Sequence, residues 1–130
     1  MMEIDTEKPV NVLDITSRVS QAVRESGIES GICLVYSQHT TCGLIVNEAD
    51  DALIYDLLSL LERLVPKGAG YRHDRGEGNA HAHLRAVILG NSVVIPIEKS
   101  SLVLGAWQKI LFLEMDGPRR RKIFVRTIPG

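Results

Sequence analysis

The chain has two cysteines, one tryptophan and a formal net charge of −1 in 130 residues, and no long unbroken apolar run. Each shortage excludes something. Cys33 and Cys42 sit inside apolar stretches, the pattern of buried free thiols and not of a disulfide framework. The near-zero charge gives no general pull towards a nucleic-acid backbone, whose binding rests on clustered Lys and Arg. The longest apolar stretch, around Leu57 to Val65, is broken by Ser59, Glu62 and Arg63 and is too short to span a bilayer, so no membrane partner is expected. The opening "MMEIDTEKPVNV" lacks the basic-then-apolar order of a secretory signal, and the expectation is a cytoplasmic protein.

What is present is an ordinary globular composition, 45% hydrophobic and 24% charged, over a length that supports one core. A single domain over residues 1–130 is expected. "KPVNVLDIT" reads as a strand running into a turn, and "SRVSQAVRESG" as a short amphipathic helix stopped by Gly27. "GICLVYS" and "TCGLIVNE" are strand-like runs that flank the polar "QHT", which places His39 near a strand end. Asp50 or Asp51 caps a helix whose Leu53, Leu57, Leu60, Leu61 and Leu64 recur at three- and four-residue steps until Pro66. A glycine-rich polar loop follows. "AHAHLRAVILG" then fits a helix ended by Gly90, with Leu84, Val87 and Ile88 on one side. Three strands close the chain, in "SVVIPIE", "LVLGAWQKILFLEM" and "RKIFVRTI", the middle one bending or dividing near Gly105 to Lys109. The order of elements predicts an α+β fold with about three helices and a mixed, largely antiparallel sheet.

Three of the four histidines lie in "HDRGEGNAHAHL". In a helix over residues 80–89, His81 and His83 point about 200° apart and cannot easily share one ion. That geometry selects His39, His73 and His83 as a metal triad and leaves His81 spare, with Asn79 placed to cap the helix. Ordinary exposed and strand-end histidines account for the same spacing. Three imidazoles suit zinc or a similar divalent transition metal, with an open position for water or substrate. Glu48 is the candidate acid/base beside such a site, and an ordinary exposed acid before a helix is the alternative. In "DGPRRRKIF", Arg119 and Arg121 fall on one strand face, a pair suited to phosphate, unless the segment is a solvated turn flanked by Glu114 and Asp116. Gln108, beside Trp107, orients a ligand or ends a strand pair.

Together "QHTTCGLIVNE", "YRHDRGEGNAHAHLRAVILGNSVVIPIE" and "LGAWQKILFLEMDGPRRR" resemble the YjbQ-like family, also described as secondary thiamine-phosphate synthases. The resemblance covers nearly the whole chain and runs through His39 to Thr41, Asn47 and Glu48, Tyr71 and His73, Ala82 to Leu84, Gly105, Trp107, Gln108 and Asp116 to Arg119. After Glu48 the family often has Asp-Pro, where this chain has Ala49-Asp50-Asp51-Ala52. The resemblance implies a compact α+β subunit that forms a homotrimer, a metal held by histidines, and the joining of a pyrimidine diphosphate to a thiazole phosphate with release of pyrophosphate. Diphosphate departure is normally helped by oxygen-ligated magnesium, whereas imidazoles favour zinc, so the synthase reaction reads as secondary to a metal-dependent reaction on a small phosphorylated or anionic substrate. Transferase and metal-dependent hydrolase are the enzyme classes this implies. The competing reading is a noncatalytic metal or small-ligand binding protein.

Overall fold

A computed structural model describes residues 1–130. Its strands are β1 (Met2–Asp5), β2 (Asn11–Asp14), β3 (Gly31–Ser37), β4 (Cys42–Asn47), β5 (Ser92–Glu98), β6 (Ser101–Leu102), β7 (Lys109–Glu114) and β8 (Arg120–Pro129). Its helices are α1 (Thr16–Ser26), α2 (Asp51–Leu64) and α3 (Ala80–Leu89), with one 3-10 turn over Arg72–Arg75. The α+β class and the single domain stand. In place of one mixed sheet there are two, ordered β1-β8-β3-β5-β6 and β2-β7-β4, and every pairing is antiparallel.

The two sheets face each other across the main core. Cys33, Val35, Ile95, Ile97 and Ile123 of the larger sheet meet Cys42, Leu44, Ile110 and Phe112 of the smaller, while Val19 and Val23 of α1 join the same cluster. The outer face of the smaller sheet carries Leu111, Leu113 and, just past β7, Met115, covered by Leu61 of α2 and Ala82 of α3. With apolar layers on both sides, β7 is buried from Ile110 to Glu114 and loses the half-polar alternation of a surface strand. β1 was not expected from the sequence, yet "MEIDT" buries Met2, Ile4 and Thr6 in strict alternation against β8.

The helices depart from their expected orientation. Asp50 caps α2 by accepting the Leu53 N–H at 2.9 Å. Of the expected leucine stripe, however, only Leu57 and Leu61, joined by Leu58, pack on the sheet; Leu53, Leu60 and Leu64 remain exposed. In α3 the apolar side turns outward, with Leu84, Val87 and Ile88 exposed, and the buried side carries Ala80, His81, Ala82, Arg85 and Ala86. The reason is distance. Gly43 of β4 lies so close to α3 that a Cβ there would stand 2.6 Å from the Leu89 Cβ. Gly43 makes room for the Leu89 side chain, and Ala82 and Ala86 bring the inner face of α3 close to the sheet while the larger Leu84, Val87 and Ile88 lie outside. Gly43→Ala should therefore push α3 off the sheet and cost about 1–3 kcal/mol of stability. Urea unfolding measures this, and an unchanged midpoint would contradict the close-approach account.

Candidate functional site

Residues 38–41 connect β3 of one sheet to β4 of the other across one end of the sandwich. His39 sits on this crossing. Its Nε2 lies 3.0 Å from the Lys122 N–H and 3.1 Å from the Lys122 carbonyl, and its Nδ1 lies 3.4 Å from Nη1 of Arg121. The Lys122 N–H donates to Nε2, and the Arg121 guanidinium faces Nδ1. Burial, and then the charge of Arg121, push the imidazole below its ordinary pKa and keep it neutral.

Arg121 is held by Glu114. On β7, Glu114 follows Ile110 and Phe112 on the face turned to the larger sheet, and on β8, Arg121 precedes Ile123 on the inward face. The guanidinium donates Nε to Oε1 at 2.7 Å and Nη2 to Oε2, and Nη2 also reaches the Thr41 hydroxyl at 2.8 Å. Thr6 donates its hydroxyl to Oε1 at 2.8 Å, the Asp116 N–H donates to Oε2 at 3.1 Å, and the Cys42 thiol lies 3.5 Å from Oε2. Burial alone would raise the Glu114 carboxyl, but the hydrogen bonds from Arg121 and Thr6 outweigh it and hold the group below the usual range. Burial and the same carboxylate push the Cys42 thiol up to about 12, so it is no nucleophile.

From the other side α3 brings His83 to the same end. The helix start is not capped by Asn79, as the sequence suggested. Asp74 accepts the Ala80 N–H at 2.9 Å, and the Asn79 amide instead donates to Asp116 at 2.9 Å. Arg119 pairs with the same Asp116 carboxylate at 3.3 Å. A wholly polar hollow of about 330 Å³ results, lined by Gln38, His39, Thr40, Thr41, Glu77, Asn79, His83, Asp116, Arg119 and Arg121.

The expected metal triad is divided. His73 and His83 meet edge to face, with ring centroids 4.7 Å apart, and His39 shares the hollow with His83. Both ring nitrogens of His39 already have partners, and the nearest charge to it is a cation. No three His, Cys, Asp or Glu side chains converge closely enough to hold an ion, so in one chain the set does not fit a three-imidazole centre.

Comparison with known proteins agrees with the architecture. The model of the UPF0047 protein YjbQ-like family matches residues 1–130. The chain belongs to this family. A UPF0047 protein of Archaeoglobus fulgidus is 48% identical over 127 residues, covering 98% of each chain, and the UPF0047 protein YugU of Bacillus subtilis is 36% identical over 98% of this chain and 96% of its own. A crystal structure of a YjbQ/UPF0047 protein from Clostridium acetobutylicum superposes with a TM-score of 0.93 at 44% identity over 98% of both chains. A YbjQ-like protein of Sulfolobus solfataricus gives 0.96 at 36% identity, covering 99% of this chain and 94% of that one.

Other expected site residues of this YjbQ-like chain lie elsewhere. Glu48 and Gln108 sit just beyond the Asn47↔Lys109 pair, at the opposite end of the β4–β7 ladder from Cys42↔Glu114. At the strand rise, six residues put them roughly 20 Å away. Gln108 accepts the Gly105 N–H at 2.8 Å and closes a turn, and Trp107 is exposed. Arg119 and Arg121 do reach one hollow, but Arg121 is committed to Glu114, which leaves Arg119 as the half-exposed arginine for an anion. His81, buried on the inner side of α3, does not line this hollow. Its imidazole is pushed down by burial and by Arg85 and Lys67.

The main residue whose role sequence reasoning missed is Glu114, which closes the strand-like run "LVLGAWQKILFLEM" and flanks the basic turn. It is fully buried. The signal was the alternation of Ile110, Phe112 and Glu114, which puts the acid on a core face. Its depressed pKa carries a sign. The pair contributes its full stability above the ordinary Glu value of 4.5 and loses it as pH falls through the lower folded value. Acid unfolding below about pH 4.5 should therefore carry a proton-uptake component that Glu114→Gln lacks. Identical acid slopes in the two proteins would contradict it.

Proposed function

We propose that this YjbQ-like chain is an enzyme acting on a small phosphorylated or otherwise anionic substrate held in the polar hollow at the His39 end of the sandwich. One observation carries the reading: a neutral imidazole fixed between Arg121 and Lys122 stands on the wall of a water-accessible hollow that also offers Arg119, His83 and the Thr40 hydroxyl. Arg119, tethered to Asp116 but half exposed, is the anion contact. His83 and His39, the latter held by Arg121 and Lys122, are the two imidazoles that face a substrate bound there. Thiamine-phosphate synthase activity, the joining of a pyrimidine diphosphate to a thiazole phosphate, fits the same hollow as a secondary reaction through the anionic groups of both substrates.

The cofactor belonging to this reading is a divalent metal, zinc by the chemistry of imidazole ligands, with His73 and His83 as the pair that would hold it. Zinc bound there would polarise a phosphoryl or carbonyl oxygen. The homotrimer is also part of the proposal. Outward-facing Leu84, Val87 and Ile88 on α3, with Leu53, Leu60 and Leu64 on α2, leave apolar surface that self-association would cover. A catalytic role for Glu48 and Gln108 depends on that assembly, since within one chain they stand far from the hollow. Cytoplasmic location is the setting assumed; no helix is long and apolar enough to cross a membrane.

One observation favours the alternative, a noncatalytic metal or small-ligand binding protein: the ring nitrogens of His39 are already engaged. Turnover separates the two. With the pyrimidine diphosphate and thiazole phosphate as substrates, His83→Gln should reduce kcat about 100-fold or more, and Arg119→Ala should mainly raise KM. Zinc analysis of the same preparations should find metal lost in His73→Ala and His83→Ala and kept in His81→Ala. Turnover unchanged in His83→Gln would remove the enzyme reading of this hollow, and equal zinc content in all variants would remove the metal.

A further inference from the structure

The inner face of α3 carries two residues that the polar hollow does not use. His81 and Arg85 stand one helical turn apart on that face and are 8% and 5% exposed. Arg85 donates both Nε and Nη2 to one acceptor, the Val65 carbonyl, at 3.0 and 2.9 Å. No carboxylate pairs with it; the ion pairs of the chain are made by Arg119, Arg120 and Arg121. His81 is its neighbour, and its Nδ1 has no hydrogen-bond partner. Both residues line a second pocket, of about 490 Å³, together with Lys67.

A guanidinium taken out of water normally has a counter-charge, because one carbonyl dipole does not replace the lost hydration of a full charge. The acids on this pocket do not supply it. Asp116 is engaged by Asn79 and Arg119, Glu77 lies 4.0 Å from Arg119, and Glu62 is an exposed helix residue with no ion pair to Arg85. We propose that this pocket is a second ligand site that takes a small oxyanion group, a carboxylate or a phosphate, against Arg85, with His81 as hydrogen-bond partner and Lys67 as the cation at its mouth. The Nη1–Nη2 edge of Arg85, the one not turned to Val65, can donate paired hydrogen bonds to either group. Glu62 and Glu77 on the wall select against highly charged polyanions by like-charge repulsion. The site shares only the wall of Glu77, Asn79 and Asp116 with the polar hollow, and it does not depend on the reaction proposed there.

Nitrogen-15 NMR of the full chain tests it, with inorganic phosphate and acetate titrated separately. Saturable shifts of the Arg85 Nε–H and the His81 imidazole are expected, and the tighter of the two ligands identifies the group as phosphoryl or carboxylate. Arg85→Gln should weaken binding about tenfold or more, and Lys67→Ala, an exposed change, should weaken it severalfold. If Arg85→Gln fails to fold after losing its hold on Val65, the Lys67 variant and the direct shifts decide. The proposal is overturned if neither anion gives saturable shifts at those two side chains, if both variants bind like the parent chain, or if the shifts fall on His39 and Arg119 instead.

Discussion

A buried ion pair between the two sheets organises one end of this molecule. Glu114 comes from β7 of the smaller sheet and Arg121 from β8 of the larger, and they meet between faces that are otherwise apolar. Such a pair stabilises little on balance, because desolvation offsets attraction, but removing one partner leaves a bare charge in the core and costs about 3–5 kcal/mol. Its main effect is to specify geometry. Glu114 also accepts from Thr6, the Asp116 N–H and the Cys42 thiol, and Arg121 turns two further N–H groups to Thr41 and His39. One charge pair thereby fixes β1, the β3–β4 crossing, the start of β4 and the turn before β8.

The hollow is a consequence of that arrangement combined with a second constraint, the close approach of α3 to Gly43. The first sets the orientation of His39. The second sets how near the His83 side of α3 can come to it, since a Cβ at Gly43 would meet Leu89 of that helix. His83 on one flank of α3 then joins the polar hollow, while His81 and Arg85 on its inner side join the second pocket. Two sites of different composition are thus separated by little more than one helix and the Asn79–Asp116 link.

Much of the fold was legible because period and punctuation agreed. The bounds of α1, α2, α3 and β3 to β5 follow from apolar spacing, Asp50, Pro66 and the glycines at 27 and 90. The outward turn of Leu84, Val87 and Ile88 was not legible, because periodicity identifies a face without saying which face the rest of the protein will cover. In α3 the need for close approach prevailed over the burial of large aliphatics. The helical separation of His81 from His83 was readable from the 3.6-residue period, and the structure gives His81 a pocket of its own. What spacing could not supply was the commitment of side chains. Arg121 and His39 looked available for phosphate and metal, but each is largely occupied by a partner distant in sequence, Glu114 and Lys122.

The central claim is that the Arg121–Glu114 pair, and not either residue alone, holds this end of the sandwich together. A double-mutant cycle on equilibrium unfolding with Arg121→Met, Glu114→Leu and the combined change tests it most directly. The account predicts that each single substitution costs about 3–5 kcal/mol and that the double costs clearly less than their sum, because no bare charge is left in the core. Costs that simply add, to within about 0.5 kcal/mol, would contradict it.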